Sequence, residues 1–265
     1  MKQKNWLALT LALLCIVATI SGCSRESKVP AEHEATVMAP ETTHPVAAEY
    51  PSWMNNILRS DEIPEDFDDV LNTYPVFGSD YQRNQIISVT ILDTLADLPE
   101  DAWDVSEAGN GSVMAWVEPN GGLYDLYIGG EGGVSVGSSC AYLFAGYQNA
   151  LSITLGDHFA TYDAVDMQSM FHYCQSLTEL ILGRHFDTSN AQDMESMFQF
   201  CEVLADLDLG DHFDTSNVQN MRYMFFWCAT LTELNLGDKF VTANADTTDI
   251  FKNCPAGDAY QHLLN

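Results

Sequence analysis

The chain has 265 residues, 10 Lys+Arg against 38 Asp+Glu, and a formal charge of −28 at pH 7. A body this acidic repels phosphate backbones and anionic head groups, which argues against nucleic acid or a charged lipid surface as a partner. Basic proteins or divalent cations suit the sign, and plain solubility is served by it as well.

The N-terminus points to a compartment. Lys2 and Lys4 precede an apolar run from Trp6 to Ile20, interrupted by Thr10 and Thr19, and Ile20-Ser21-Gly22-Cys23 closes it. Basic, apolar and small-residue regions in that order form a secretory signal peptide. The run is short for a bilayer span, which takes ~20 residues. Aliphatic-Ser-Gly-Cys resembles the bacterial lipobox, and that resemblance implies a leader over 1–22 and a lipidated Cys23. An ordinary cleaved signal and an anchor helix are the competing readings. Acyl chains contribute ~0.8 kcal/mol per buried methylene, so more than one makes a stable anchor. The expected location is the extracytoplasmic face of the membrane or the cell surface. Residues 23–49 are rich in Ala, Pro, Glu, Thr and Ser, bury too little to offset ordering entropy, and read as a disordered tether.

Residues 50–122 read as an N-terminal α+β cap. Pro64 to Leu71 resembles an amphipathic helix start, with acid where the dipole favours it. Ile86 to Leu92 is β-branched enough for a strand. Ser112 to Glu118 and Gly122 to Ile128 are expected to pair across Pro119-Asn120-Gly121. Such a cap would cover the apolar end of the C-terminal half; a separate binding domain is the alternative.

The C-terminal half is repetitive. LTELILGRHFDTSNAQDMESMFQFC from Leu177 to Cys201 returns as LADLDLGDHFDTSNVQNMRYMFFWC from Leu204 to Cys228, so Cys174, Cys201 and Cys228 are spaced by 27 residues. A preceding unit ends at Cys174 and a following one, one residue shorter, at Cys254. Further back, LYDLYIGG from Leu123 holds the strand register, and Tyr147 stands in the cysteine position. Leu180-Ile181-Leu182, Leu207-Asp208-Leu209 and Leu234-Asn235-Leu236 alternate as short strands with one inward face. Met194, Met197, Phe198 and Cys201 come next at a spacing that suits one short helical turn. One unit alone buries too few side chains, at ~1.5–3 kcal/mol each, to offset ~1–2 kcal/mol of backbone entropy per residue. Stacking on neighbours tips that balance. The expected class is α/β: a leucine-rich-repeat-like solenoid of about five rungs over 123–254, with parallel short strands, short helical turns, and a C-terminal cap over 255–265.

FDTSNVQNMRYMFFWCATLTELNLG resembles the repeat of the BspA-like leucine-rich-repeat surface proteins of bacteria, with its Phe-Asp-Thr-Ser-Asn-Val, Met-x-x-Met-Phe-x-x-Cys and Leu-x-x-Leu-x-Leu blocks. The likeness covers Leu123 to Cys254 and weakens in the last unit, where Thr247 and Ile250 replace the methionines. It implies display on a cell surface and binding to a protein of a host or neighbouring cell.

Chemistry-bearing side chains have structural readings. Beyond Cys15 and Cys23, five cysteines remain, an odd number, and no Cys-x-x-Cys pair is present to chelate. Cys174, Cys201, Cys228 and Cys254 are expected as a ladder of free, buried thiols, with a disulfide between rungs as the alternative. His158, His185 and His212 recur once per unit, as do Asp163, Asn190, Asn217 and Asn244; repetition explains both without zinc. Gly129-Gly130-Glu131-Gly132-Gly133 lacks the Lys-Ser/Thr of a phosphate loop, and neither Gly-x-Ser-x-Gly nor His-Glu-x-x-His occurs. The expectation is a non-catalytic protein with no cofactor and no metal. It is a lipid-anchored adhesion module, with Trp116, Tyr124 and Tyr127 as candidate contacts. The rivals are an envelope spacer without a ligand and a calcium-dependent module using Asp187 and Asp214.

Overall fold

The computed structural model describes residues 51–60 and 74–264. The leader over 1–22, Cys23, the tether over 23–49 and the helix expected from Pro64 to Leu71 lie outside the described residues. All that is described belongs to one compact unit, Pro45–Asn265.

The strands are β1 (Ile57–Leu58), β2 (Ile86–Leu92), β3 (Trp103–Asp104), β4 (Met114–Asn120), β5 (Leu123–Gly129), β6 (Val134–Val136), β7 (Ser152–Thr154), β8 (Phe159–Ala160), β9 (Glu179–Ile181), β10 (Asp206–Asp208) and β11 (Glu233–Asn235). One sheet has the order β3-β4-β5-β2-β7-β9, β10 and β11 pair by themselves, and β1-β6-β8 form a small parallel sheet. β4 and β5 make an antiparallel hairpin with Trp116 opposite Tyr127 and Val117 opposite Leu126. Its turn residues are Gly121 and Gly122, at φ +61° and +92°. Two positive φ angles match the right-handed twist of the strands, so the strand runs on through Asn120 and the turn sits one residue later than Asn-Gly suggested.

β2 departs most from expectation. It lies between β5 and β7, pairing in parallel with both, Val89 opposite Leu126 on one side and Ile153 on the other. The Leu151 N–H donates to the Ile87 carbonyl, as the Thr178 N–H does to Leu151 one unit later. The segment expected to cover the first unit from outside is therefore a strand inside its sheet. Within 74–122 the helical content among the described residues is the 3-10 turn Arg83–Gln85, and the helix expected for the α+β cap lies outside them.

From β7 onward, equivalent residues of successive units pair in parallel. Ile153 lies opposite Leu180, and Leu207 opposite Leu234. A second ladder of single bridges runs Ser139, Asp166, Asp193, Asn220, Asp246. The buried threonines Thr161, Thr188 and Thr215 form a third. Their hydroxyls donate to the carbonyls of Asp187, Asp214 and Val241 in the next unit, at 2.7, 3.0 and 2.7 Å. The apolar rows fill the space between. Phe144, Phe171, Phe198, Phe225 and Phe251 stack ring on ring at 5.8, 5.5, 5.4 and 5.3 Å.

Among the described residues, tight turns stand where helical turns were expected. Met194, Met197, Phe198 and Cys201 are fully buried, yet this segment is a chain of tight turns. Met197, Gln199 and Cys201 donate back three residues, while Met194, Ser196, Phe198 and Phe200 donate across to Asn220, Arg222, Met224 and Phe226. Ser196 and Phe200 have φ of +59° and +61°, which no α-helix accommodates. The next unit offers a carbonyl to every second amide, and that ladder displaces the local helix. At the C-terminus, α1 (Gly257–Tyr260) closes the stack. The Tyr260 ring lies 6.1 Å from Phe251, and its hydroxyl donates to the Leu234 carbonyl.

Candidate interaction surfaces

The interior ladders hold the reactive side chains, and their geometry is structural. Cys174, Cys201 and Cys228 donate their thiols to the carbonyls of Phe144, Phe171 and Phe198, at 3.2, 3.3 and 3.1 Å. These three, with Cys140 and Cys254, are free and buried. Burial pushes the thiols up, that of Cys174 to about 12, so the nucleophilic thiolate is suppressed.

The histidine row is partly exposed and loosely paired. His158 lies 3.8 Å from Asp93, and His212 4.0 Å from Asp187. His185 shares a 2.6 Å hydrogen bond with the Tyr162 hydroxyl and meets the edge of Trp53 at 5.8 Å. Partial burial, then the Arg184 charge, lowers its proton affinity. Asn190 and Asn217 donate to the carbonyls of Tyr162 and Ser189 in the preceding unit. Asp187 and Asp214 each accept the amide two residues on, from Ser189 and Ser216. Their carboxylates cap turns, and among the described residues no group of three or more His, Cys, Asp or Glu is placed to hold a metal ion.

Two exposed faces remain. The first is the outer face of the strands. Trp116 stacks on Tyr127 at 5.6 Å and 18°, and is buried. Tyr124, three residues from Tyr127, turns to the other side because strand side chains alternate. There it packs on the core and meets Tyr81 edge-on at 4.9 Å. The three candidate aromatics thus do not form one contact patch. Away from them the outer face is acidic: the pairing register puts Glu118, Asp125 and Glu179 in one row, and Asp206 and Glu233 occupy the equivalent positions on β10 and β11. Burial, then the Glu118 and Asp125 charges, raises the pKa of the Tyr127 hydroxyl.

The second face lies on the turn side and was not singled out from the sequence. Tyr173, Phe200 and Trp227 occupy equivalent positions at φ of +59°, +61° and +59°. The Tyr173 and Phe200 rings lie 4.5 Å apart, Phe226 is 5.7 Å from Phe200, and the Lys252 ammonium sits 5.6 Å over Phe226. Trp227 is 44% exposed. The signal was present in Phe-His-Tyr-Cys, Phe-Gln-Phe-Cys and Phe-Phe-Trp-Cys, where an aromatic precedes Cys174, Cys201 and Cys228, though not Cys254. A helical reading of the segment hid the shared outward row.

Residues 138–261 match the family model of a Mycoplasma protein of unknown function, DUF285. The match begins one residue before the first member of the bridge ladder, Ser139, and runs through α1. No curated protein and no solved structure matches the chain. Among the described residues the turn-side face is aromatic and the strand-side face acidic.

Proposed function

We propose that the chain is a non-catalytic binding module. In this reading it is a leucine-rich-repeat-like solenoid of the BspA-like kind, held at the extracytoplasmic face of the membrane by lipid on Cys23. It meets a protein of a host or neighbouring cell through its turn-side aromatics. The observation that carries the reading is the row Tyr173, Phe200 and Trp227. A residue with a Cβ in the left-handed region costs roughly 1–2 kcal/mol, and a glycine there would spare that cost. Core filling does not account for the row, since Met194, Met197 and Phe198 already fill the interior. Partly exposed aromatics in a contiguous strip are the side chains that concentrate binding energy.

The test is attachment by cells displaying the full chain, compared with a Phe200→Ser, Trp227→Ser double variant of matched melting temperature and surface level. The reading expects at least a tenfold loss of attachment in the variant. Equal attachment, with none lost on deleting the whole chain, points to a spacer instead.

A further inference from the structure

We propose that the interval between β9 and β10 receives one extended, basic peptide strand. β7 pairs with β9, and β10 pairs with β11, yet β9 and β10 belong to separate sheets. The opening is local. Elsewhere in the same two units Thr188 donates to His212, Met194 to Asn220 and Phe198 to Met224, at 3.3, 2.9 and 2.9 Å. The glycines report it independently. A methyl on Gly183 would run into the Gly156 carbonyl, and one on Gly237 would meet the Gly210 carbonyl at 2.8 Å. At Gly210 the same methyl would meet nothing within 4 Å, because its neighbouring strand has moved away.

The result is a cleft of about 460 Å³, with Leu180, Ile181 and Leu182 on one wall and Asp208, Leu209 and Gly210 on the other. Both walls are open strand edges. The Glu179 amide and the Ile181 carbonyl are committed to β7's side, through Leu151 and Leu155, so the polar groups of Leu180 and Leu182 point into the cleft. On β10 the Leu209 amide is committed to Asn235 and the Ala205 carbonyl to Glu233, so those of Asp206 and Asp208 point in from the other wall. An added strand sits ~4.8 Å from each neighbour, and in this proposal the one strand bonds to both edges at once.

Side chains specify the occupant. Outward-facing groups of an inserted strand would lie between Glu179 and Asp206, and between Ile181 and Asp208; Ile181 is 43% exposed. Inward-facing groups would lie between Leu180, which is half-buried, and Leu207, which is fully buried. The complement is an alternation of basic and apolar residues, and the charge of −28 draws such a peptide in. The site is separate from the turn-side aromatics, so its failure leaves that reading standing.

The experiment titrates the full chain with acetylated, amidated Lys-Val-Lys-Val-Lys and follows amide hydrogen exchange. Saturable binding is expected, with new protection at the amides of Leu180, Leu182, Asp206 and Asp208. The same peptide N-methylated at both valines should bind at least tenfold more weakly, and Glu-Val-Glu-Val-Glu should not bind. A Glu179→Gln, Asp206→Asn variant should lose about tenfold at unchanged melting temperature. Binding of the N-methylated peptide within twofold, protection confined to other strands, or no saturable binding would each overturn the proposal.

Discussion

Cys174, Cys201 and Cys228 each stand one unit beyond the phenylalanine whose carbonyl the thiol contacts, so the sulfur contributes both packing and a weak donor. A reagent that needs thiolate should therefore leave Cys174, Cys201 and Cys228 unlabelled in the native protein and label them on unfolding. Mass spectrometry of iodoacetamide-treated protein with and without denaturant decides this; native labelling would show the ladder to be open. His172 is a second residue whose state is set by burial. Desolvation holds its pKa at about 3, against 6.5 for the free side chain. Between those values the unfolded chain binds the proton and the folded chain does not, so stability falls as pH drops from 6.5 toward 3. At pH 5 the loss from this group is about 2 kcal/mol. Denaturant titrations at pH 7 and pH 5 should show that His172→Phe, beside Tyr173 and Phe200, loses about that much less than the parent between the two pH values.

At the scale of elements, the strand ladder and the turn ladder respond differently to the same substitution. Gly183 and Gly210 hold equivalent positions, at φ +81° and +74°, but only Gly183 lies against the preceding unit's glycine carbonyl. Gly210→Ala should cost about 1 kcal/mol, the backbone preference alone. Gly183→Ala must in addition separate β9 from β7, and should cost several times as much. Equal costs in urea titrations would mean that β9 and β10 close up in solution. Arg83 is another element-scale device. It is 3% exposed and donates to the carbonyls of Tyr142 and Ala145, so it closes the first tier of turns from the N-terminal side. The alternating strands, the hairpin and the inward methionine, phenylalanine and cysteine rows were legible because a buried face imposes period two or a fixed repeat on the sequence. The chain of turns was not, because Met194, Met197, Phe198 and Cys201 have a spacing that a helix also satisfies. What excludes the helix is the carbonyl supply of a neighbouring unit, which no local pattern encodes.

For the whole molecule, 38 acidic groups against 10 basic ones make self-repulsion a standing load on the compact state. Raising sodium chloride from ~0.01 to ~0.15 M shortens the screening length from ~30 to ~8 Å, and the melting temperature should rise by several degrees. Calcium chloride at matched ionic strength should add nothing, since the Asp187 and Asp214 carboxylates are spent on turn amides. A further rise with calcium would revive the calcium-dependent reading.

The sequence alone determined the 27-residue register, the rows that face inward, and the acidity of the surface, because repetition and burial are written residue by residue. It could not say that β2 enters the sheet between β5 and β7, that Tyr124 and Tyr127 part to opposite faces, or that β9 and β10 stand unpaired. Those depend on which strand edge meets which. Every backbone carries the same donors and acceptors, so the choice among edges is made only when the units are stacked in space.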